Sequence, residues 1–375
     1  MSLLQRILAQ IDQQGGISIA DYMLHALADP EEGYYMSQTP LGVEGDFVTS
    51  PEISQVFGEM LGVWIAECWH HLGKPRADVV EMGPGLGTLM DDFLRATKNV
   101  AGFHDSIDVH MVETSDRLQS QQKRQLEGKH PRIHWHRSLP QTDRPLLIIG
   151  NEFFDALPIE QYITTAKGFR ERIVVRGADE ETLAFDVADK ELRRLPTRYP
   201  RIMAGELPEG AIVETCPMAQ EIMDRIARHI SRHGGAALFI DYGYTRSENP
   251  QEYAEGDTLQ AVRKHVYHDV LHEPGKADLT AHVDFSALSE VAVAAGGYAP
   301  PVLSQAEFLT RMGGELRMKH LCQNARTPDI CATIANGYRR LIMPEEMGEL
   351  FKVLAVMPAG IPAPLFTEPN LKEDI

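Results

Sequence analysis

The run Val79-Val80-Glu81-Met82-Gly83-Pro84-Gly85-Leu86-Gly87-Thr88 constrains this chain more than any other segment. A short apolar stretch feeds a turn built on three glycines, and a helix-favouring segment follows. Glycine adopts backbone angles closed to other residues and lets a second group approach the main chain closely, so the turn predicts a strand-to-helix connection that receives a ligand. Around it, short apolar runs predict strands over 77–82, 107–112, 132–135, 146–149 and 236–240. Helical spacing predicts helices over 53–71, 88–96, 115–125 and 218–233. Strands alternating with helices make an α/β, Rossmann-like fold with a mostly parallel twisted sheet.

The remaining segments are additions to that sheet. Two short helices precede Asp29-Pro30, and strict alternation at 161–164 and 172–175 predicts an antiparallel insertion. A second insertion spans 245–281, helices follow at 286–295, 305–312 and 328–341, and a last strand is expected at 351–356 before a polar tail at 366–375. The expected organisation is an N-terminal helical region with a lid loop (1–75), a cofactor-binding half of the sheet (76–160), the antiparallel insertion (161–215), and the second half of the sheet with its helices (216–375).

Composition narrows the class. With 36 Lys and Arg against 54 Asp and Glu, the net charge is −18, which argues against broad nucleic-acid or anionic-membrane binding, since both need phosphates neutralised. The four cysteines, Cys68, Cys216, Cys322 and Cys331, make no CxxC pair and read as reduced thiols of a cytoplasmic protein. The first residues lack a continuous apolar core and are too poor in Arg and Ser for a transit peptide, and no apolar run of about 18 residues offers a membrane span.

The glycine spacing points to a ligand. Dinucleotide folds use G-x-G-x-x-G to seat a pyrophosphate, whereas this chain has G-x-G-x-G with Glu81 two positions before Gly83. S-adenosylmethionine has no pyrophosphate and carries a positive sulfonium, which suits an acid at Glu81. Glu113, at the end of the second strand, is suited to accept both ribose hydroxyls, although NAD enzymes put an acid there too. S-adenosylmethionine is therefore the expected cofactor, held by Glu81, Gly83, Pro84, Gly85, Gly87 and Glu113.

Reacting groups of open α/β sheets lie beyond the strand ends, where Gly150-Asn151-Glu152-Phe153-Phe154-Asp155 follows the fourth strand. An arginine guanidinium, with a pKa of roughly 12.5 to 13.8, is a poor nucleophile until a carboxylate orients it. Glu152 is the candidate for that role, with Asn151 and Asp155 beside it; helix capping and turn formation are the competing structural readings. In Gly45-Asp46-Phe47-Val48-Thr49-Ser50-Pro51-Glu52, Ser50 reads as an N-cap before Pro51. Asp46, Thr49 and Gly33-Tyr34-Tyr35 remain after that, and suggest a polar and aromatic lid in which Thr49 and Ser50 face the cofactor.

His265, His268 and His272 fall at i, i+3 and i+7, one face of a helix and a spacing that can hold a metal, but no HExxH motif accompanies them and methyl transfer needs no metal, so none is expected. His282 and Asp284 face the site or cap the next helix, while Trp64, Trp69 and the Met-rich helices read as core.

Together these segments resemble the MidA-like S-adenosylmethionine-dependent methyltransferases, whose eukaryotic members are mitochondrial assembly factors for respiratory complex I. The resemblance rests on Asp29-Pro30-x-x-Gly33-Tyr34-Tyr35, GDFVTSPEISQVFGE at 45–59, VVEMGPGLGTLMDDFLR at 79–95, NEFFDALP at 151–158, DYGY at 241–244, GDTLQAVRKH at 256–265 and DLTAHVDF at 278–285. It departs at Leu41-Gly42, where an aromatic is expected before glycine. It implies a class I methyltransferase fold and symmetric dimethylation of an arginine ω-nitrogen on a protein such as a complex I subunit. Gly83, Gly85, Gly87 and Glu113 carry over as cofactor contacts, and 46–52 with Asn151-Glu152 as walls of the reaction site. The absent transit peptide points to a bacterial cytoplasmic relative. A small-molecule methyltransferase, a cofactor-binding assembly scaffold and, more remotely, an NAD oxidoreductase stay open, and the sequence is silent on oligomeric state.

Overall fold

The computed structural model describes residues 1–37, 49–179, 181–192, 207–246, 256–264 and 266–366. It divides into two compact units, one made of Met1–Phe47, Phe154–Ile222 and Tyr244–Leu288, the other of Val48–Phe153, Met223–Gly243 and Ser289–Ile375.

The second unit carries the central sheet. Helix α1 (Gln55–His71) opens at Ser54, whose hydroxyl accepts the Val56 N–H, and buries Trp64 and Trp69 as expected of core residues. Strand β1 (Ala77–Met82) leads into helix α2 (Thr88–Thr97), strand β2 (Ile107–Val112) into helix α3 (Asp116–Gln125), and strands β3 (Ile133–His136) and β4 (Leu146–Asn151) follow. β1, β2 and β4 are buried at every position; β4 opens on the unbroken apolar run Leu146–Ile149 of a strand covered on both faces, whereas β1 and β2 carry the buried Asp78, Glu81, Asp108 and His110 among their apolar residues. Strand β5 (Gly235–Tyr244) lies parallel to β4, giving the order β5-β4-β1-β2-β3. Helices α4 (Gln305–Arg311), α5 (Gly314–Gln323) and α6 (Pro328–Ile342) precede strand β6 (Phe351–Pro358), which runs antiparallel along β5 from Ala237↔Val356 to Tyr242↔Phe351. One apolar core unites α1, α2, the sheet, α4 and α6.

The first unit is antiparallel. Helix Leu3–Gln14, closed by a capping box between Ser2 and Gln5, and helix Ile19–Ala28 share a core with the five-stranded sheet containing Glu160–Thr165, Gly168–Arg176, Leu183–Leu192 and Ile212–Thr215. A smaller sheet orders Val266–His268, Gln260–Arg263 and Asp278–Thr280.

The α/β class with a mostly parallel sheet and antiparallel strands is as expected. Three local expectations are corrected. The histidine spacing at 265–272 does not lie on a helix: Val266–His268 is a strand paired with Gln260–Arg263, because the segment folds back as a hairpin, and His265 lies outside the described residues. Strand β5 continues through Asp241-Tyr242-Gly243 instead of ending before it, and α5 has no counterpart in the sequence reading. Of the polar tail expected at 366–375, Phe366 is instead buried in the core of the second unit, and 367–375, like the segment 38–48 with Leu41-Gly42 and Asp46, lies outside the described residues.

Candidate functional site

At the carboxyl end of β1 the chain turns through Gly83, Gly85 and Gly87, with φ of +63°, +51° and +85°. All three sit in the left-handed region that a Cβ disfavours. At Gly83 a Cβ would also be crowded, 3.1 Å from the Phe153 ring. Pro84 contributes its carbonyl, which accepts the Gly87 N–H at 2.8 Å.

Glu81 immediately precedes this turn. Its side chain is 3% exposed, and among the described residues no donor reaches its Oε2. Burial pushes its carboxyl well above the usual range, and the neighbouring Glu52 adds repulsion. Glu52 is itself raised by burial, while hydrogen bonding to Thr88, the first residue of α2, works the other way; the Thr49 hydroxyl also contacts it. Two acids thus flank the glycine turn, one of them without a hydrogen bond on a buried oxygen. Such an arrangement is costly unless a cationic ligand completes it.

Glu113 follows β2. Its Oε1 accepts the Ser115 N–H at 2.8 Å and its Oε2 the Gln122 side-chain amide at 3.3 Å, and burial raises its carboxyl. Gln122 on α3 also donates to the Gly85 carbonyl at 2.8 Å and accepts from the Trp135 indole at 3.1 Å. It therefore ties the acid to the glycine turn, a part the sequence reading missed. Its only sequence signal is a glutamine in a polar helix.

At the end of β4, Asn151 and Glu152 come together. Glu152 Oε1 accepts the Asn151 side-chain amide at 3.0 Å and the Ser50 backbone N–H at 3.1 Å. Glu152 is a non-glycine residue at φ +48°, and its own N–H donates to the Ile240 carbonyl at 2.9 Å. Asn151 Oδ1 is buried with no hydrogen-bond partner among the described residues. Ser50 is not the N-cap expected of it: Thr49 holds that position without a side-chain capping bond, because its hydroxyl faces Glu52, and Ser50 begins the short helix Ser50–Ile53.

The other unit holds the remaining candidates. Asp155 belongs to it, and its carbonyl accepts the Ala281 N–H at 3.0 Å. There a cavity is lined by Glu214, Cys216, Gln220, Tyr244, His282 and Asp284, among others. Burial pushes Glu214 up to about 7, although Thr258 and Gln161 donate to it. Asp284 Oδ1 also accepts the Ala287 N–H at 2.9 Å, the capping alternative of the sequence reading. Tyr34, expected in a lid, is instead fully buried in this unit's core, and the Tyr35 hydroxyl donates to Asp278 at 3.0 Å. Among the described residues no group of three His, Cys, Asp or Glu could hold a metal ion. No helix among them is long and apolar enough to cross a membrane.

The unpartnered, buried Glu81 oxygen fits a cationic cofactor, the glycine turn admits its approach, and Glu113 suits ribose hydroxyls. A pyrophosphate would meet two acids there. Comparison with known proteins agrees. A family model described as "Putative S-adenosyl-L-methionine-dependent methyltransferase" matches residues 60–302. The mitochondrial protein arginine methyltransferase NDUFAF7 of Xenopus laevis is 36% identical over 392 residues, which span 95% of this chain and 84% of that protein. Its Homo sapiens counterpart is 35% identical over 384 residues, spanning 95% and 83%. The crystal structure of a Burkholderia thailandensis protein bound to S-adenosyl-homocysteine is similar with a TM-score of 0.82 and 31% identity, over 96% of this chain and 92% of that one. The chain belongs to the MidA-like family of S-adenosylmethionine-dependent methyltransferases.

Proposed function

We propose that this methyltransferase acts on proteins, methylating an arginine ω-nitrogen symmetrically, with a subunit of a complex I-type respiratory enzyme or a similar protein as acceptor in a bacterial cytoplasm. The observation that carries the reading is Glu152: a carboxylate at the end of a central strand, pinned through one oxygen by Ser50 and Asn151. The names of the relatives as protein arginine methyltransferases support it.

S-adenosylmethionine, when bound, supplies a methyl group made electrophilic by its sulfonium. Glu81 offers its charge to the cationic part of the cofactor, Glu113 accepts from the ribose hydroxyls, and the glycine turn, with Pro84, admits the methionine part. Glu152 accepts a hydrogen bond from one guanidinium N–H, which draws the positive charge to that side and turns another nitrogen's lone pair toward the methyl carbon. Asn151 fixes the Glu152 rotamer. Ser50 contributes its backbone N–H to the same carboxylate, and Thr49 orients Glu52 beside the cofactor. Asp155, three residues on in the same NEFFDALP segment, is assigned a supporting role. The methylated guanidinium sheds its extra proton through the N–H that faces Glu152, and the leaving group is the neutral thioether S-adenosyl-homocysteine.

The test is transfer of labelled methyl from S-adenosylmethionine into the proteins of an extract from cells lacking this gene, wild type against Glu113→Ala. Label in protein with wild type alone, recovered on hydrolysis as symmetric dimethylarginine, is the expected result. Label confined to small molecules, or none despite measured cofactor binding, overturns the protein-arginine reading in favour of a metabolite acceptor or a scaffold.

A further inference from the structure

The DYGY segment has no assignment in the reading above, yet its first residue touches the candidate catalytic turn. Asp241, near the end of β5, is 1% exposed. Its Oδ2 accepts the Phe153 N–H at 3.1 Å and its Oδ1 the Tyr242 N–H at 3.0 Å. The preceding residue of β5, Ile240, accepts the Glu152 N–H at 2.9 Å. The two peptide groups flanking the Glu152 α-carbon are therefore each tied to β5, one to a backbone carbonyl and one to a carboxylate.

Those two peptide planes set φ and ψ of Glu152. That residue holds φ +48°, a left-handed conformation disfavoured by its Cβ. The bond from Ile240 continues the parallel ladder between β4 and β5, whose last registered pair is Ile240↔Asn151, and fixes only the first plane. Asp241 fixes the second. A carboxylate suits this better than a neutral acceptor, because both of its oxygens accept: the bond to Tyr242 holds the group that holds Phe153.

We propose that Asp241 is a positioning residue for methyl transfer: by accepting the Phe153 N–H it locks Glu152 in the left-handed conformation that presents the Glu152 carboxylate to Ser50, Asn151 and the acceptor. The proposal rests on Glu152 being catalytic. It is separable from cofactor binding, because the bonds it rests on act on the Phe153 and Tyr242 amides, and cofactor affinity is measured beside the rate.

The experiment compares Asp241→Ala, Asp241→Asn, Glu152→Gln and the double variant Asp241→Ala/Glu152→Gln in the full chain. Three quantities are measured: S-adenosylmethionine affinity by calorimetry, methyl incorporation into the same extract proteins at saturating cofactor, and hydrogen exchange of the Phe153 amide. Asp241→Ala is expected to bind cofactor as wild type does, to exchange the Phe153 amide faster, and to lose about 10- to 100-fold in rate, the scale of a misplaced reacting group. Asp241→Asn, which keeps one acceptor oxygen, falls between. The double variant is expected to be no slower than Glu152→Gln alone. Losses that multiply in the double variant, or a wild-type rate for Asp241→Ala, overturn the proposal. A wild-type rate for Glu152→Gln instead strikes the catalytic reading itself, and a slow Asp241→Ala beside it shows that Asp241 acts elsewhere. Should Asp241→Ala not fold, Asp241→Ser, whose hydroxyl is too short to reach Phe153, is read in the same way.

Discussion

Glu81 has to be ionised to greet a cation, yet the protein around it favours the protonated acid. Burial first, and Glu52 second, hold its carboxyl well above the ordinary range. Below that raised value the carboxyl carries a proton, so binding a cationic cofactor must expel it; above it the proton is already gone. Affinity for S-adenosylmethionine is therefore expected to rise with pH up to the raised pKa and then level off. Calorimetry at a series of pH values, each in two buffers of different ionisation heat, should register the released proton on the acid side and lose it as pH rises. Glu81→Gln should bind about tenfold more weakly, roughly the worth of one such charge interaction, and lose the pH dependence. An affinity that stays flat with pH in the wild type would count against this role for Glu81.

Among the elements, α5 is tied to α1 through a buried acid. Glu59 of α1, 1% exposed, accepts from Arg317 of α5 at 2.7 and 2.9 Å and from Arg95 of α2 at 3.1 Å. Burial alone would raise its carboxyl, but the hydrogen bonds and charges of Arg317 and Arg95 outweigh it and hold the group below the usual range. Removing the charge leaves two half-exposed guanidinium groups facing a neutral amide, and Arg95 keeps Asp92, so Glu59→Gln is expected to cost on the order of 1 to 2 kcal/mol in urea denaturation. A loss under about 0.5 kcal/mol would mean that apolar packing, not this cluster, secures the three helices. The same contact explains why α5 was illegible in the sequence. Gly314–Gln323 is polar and weakly amphipathic, and its anchor lies 258 residues away. The strands 77–82 and 107–112 were legible to the residue because each is rich in Val, Met and Ile, ends at a sharp change in composition and is followed by a helix-favouring segment, even though each buries two ionisable side chains. The histidines at 265–272 misled because a spacing that suits a helix also occurs across a hairpin. In the site, the glycine turn and Glu113 were readable as contiguous strand ends. Gln122 and Asp241 were not, since each acts on a partner distant in sequence, Gly85 at 37 residues and Phe153 at 88.

For the molecule as a whole, the net charge of −18 becomes an asset once the acceptor is an arginine-bearing segment. A surface of that sign repels nucleic acid and attracts basic polypeptide over roughly a Debye length, about 10 Å at 0.1 M salt. Methyl incorporation into extract proteins, taken as rate at low acceptor concentration, is expected to fall several-fold between about 50 and 300 mM sodium chloride, with cofactor affinity changing less. A rate indifferent to salt would imply that the acceptor is chosen by close contacts alone.

Strand β6 adds a consequence in time. It supplies six residue pairs to β5, from Ala237 to Tyr242, and so lies alongside Asp241, yet it is encoded more than a hundred positions later. During synthesis the ribosome must deliver 351–358 before that ladder can close. A chain interrupted earlier would hold its glycine turn and its parallel strands but offer one face of β5's backbone bonds to any passing strand. Premature termination between residues 244 and 351 would thus yield chains prone to aggregate and be degraded, rather than half-active enzymes that occupy cofactor without transferring methyl.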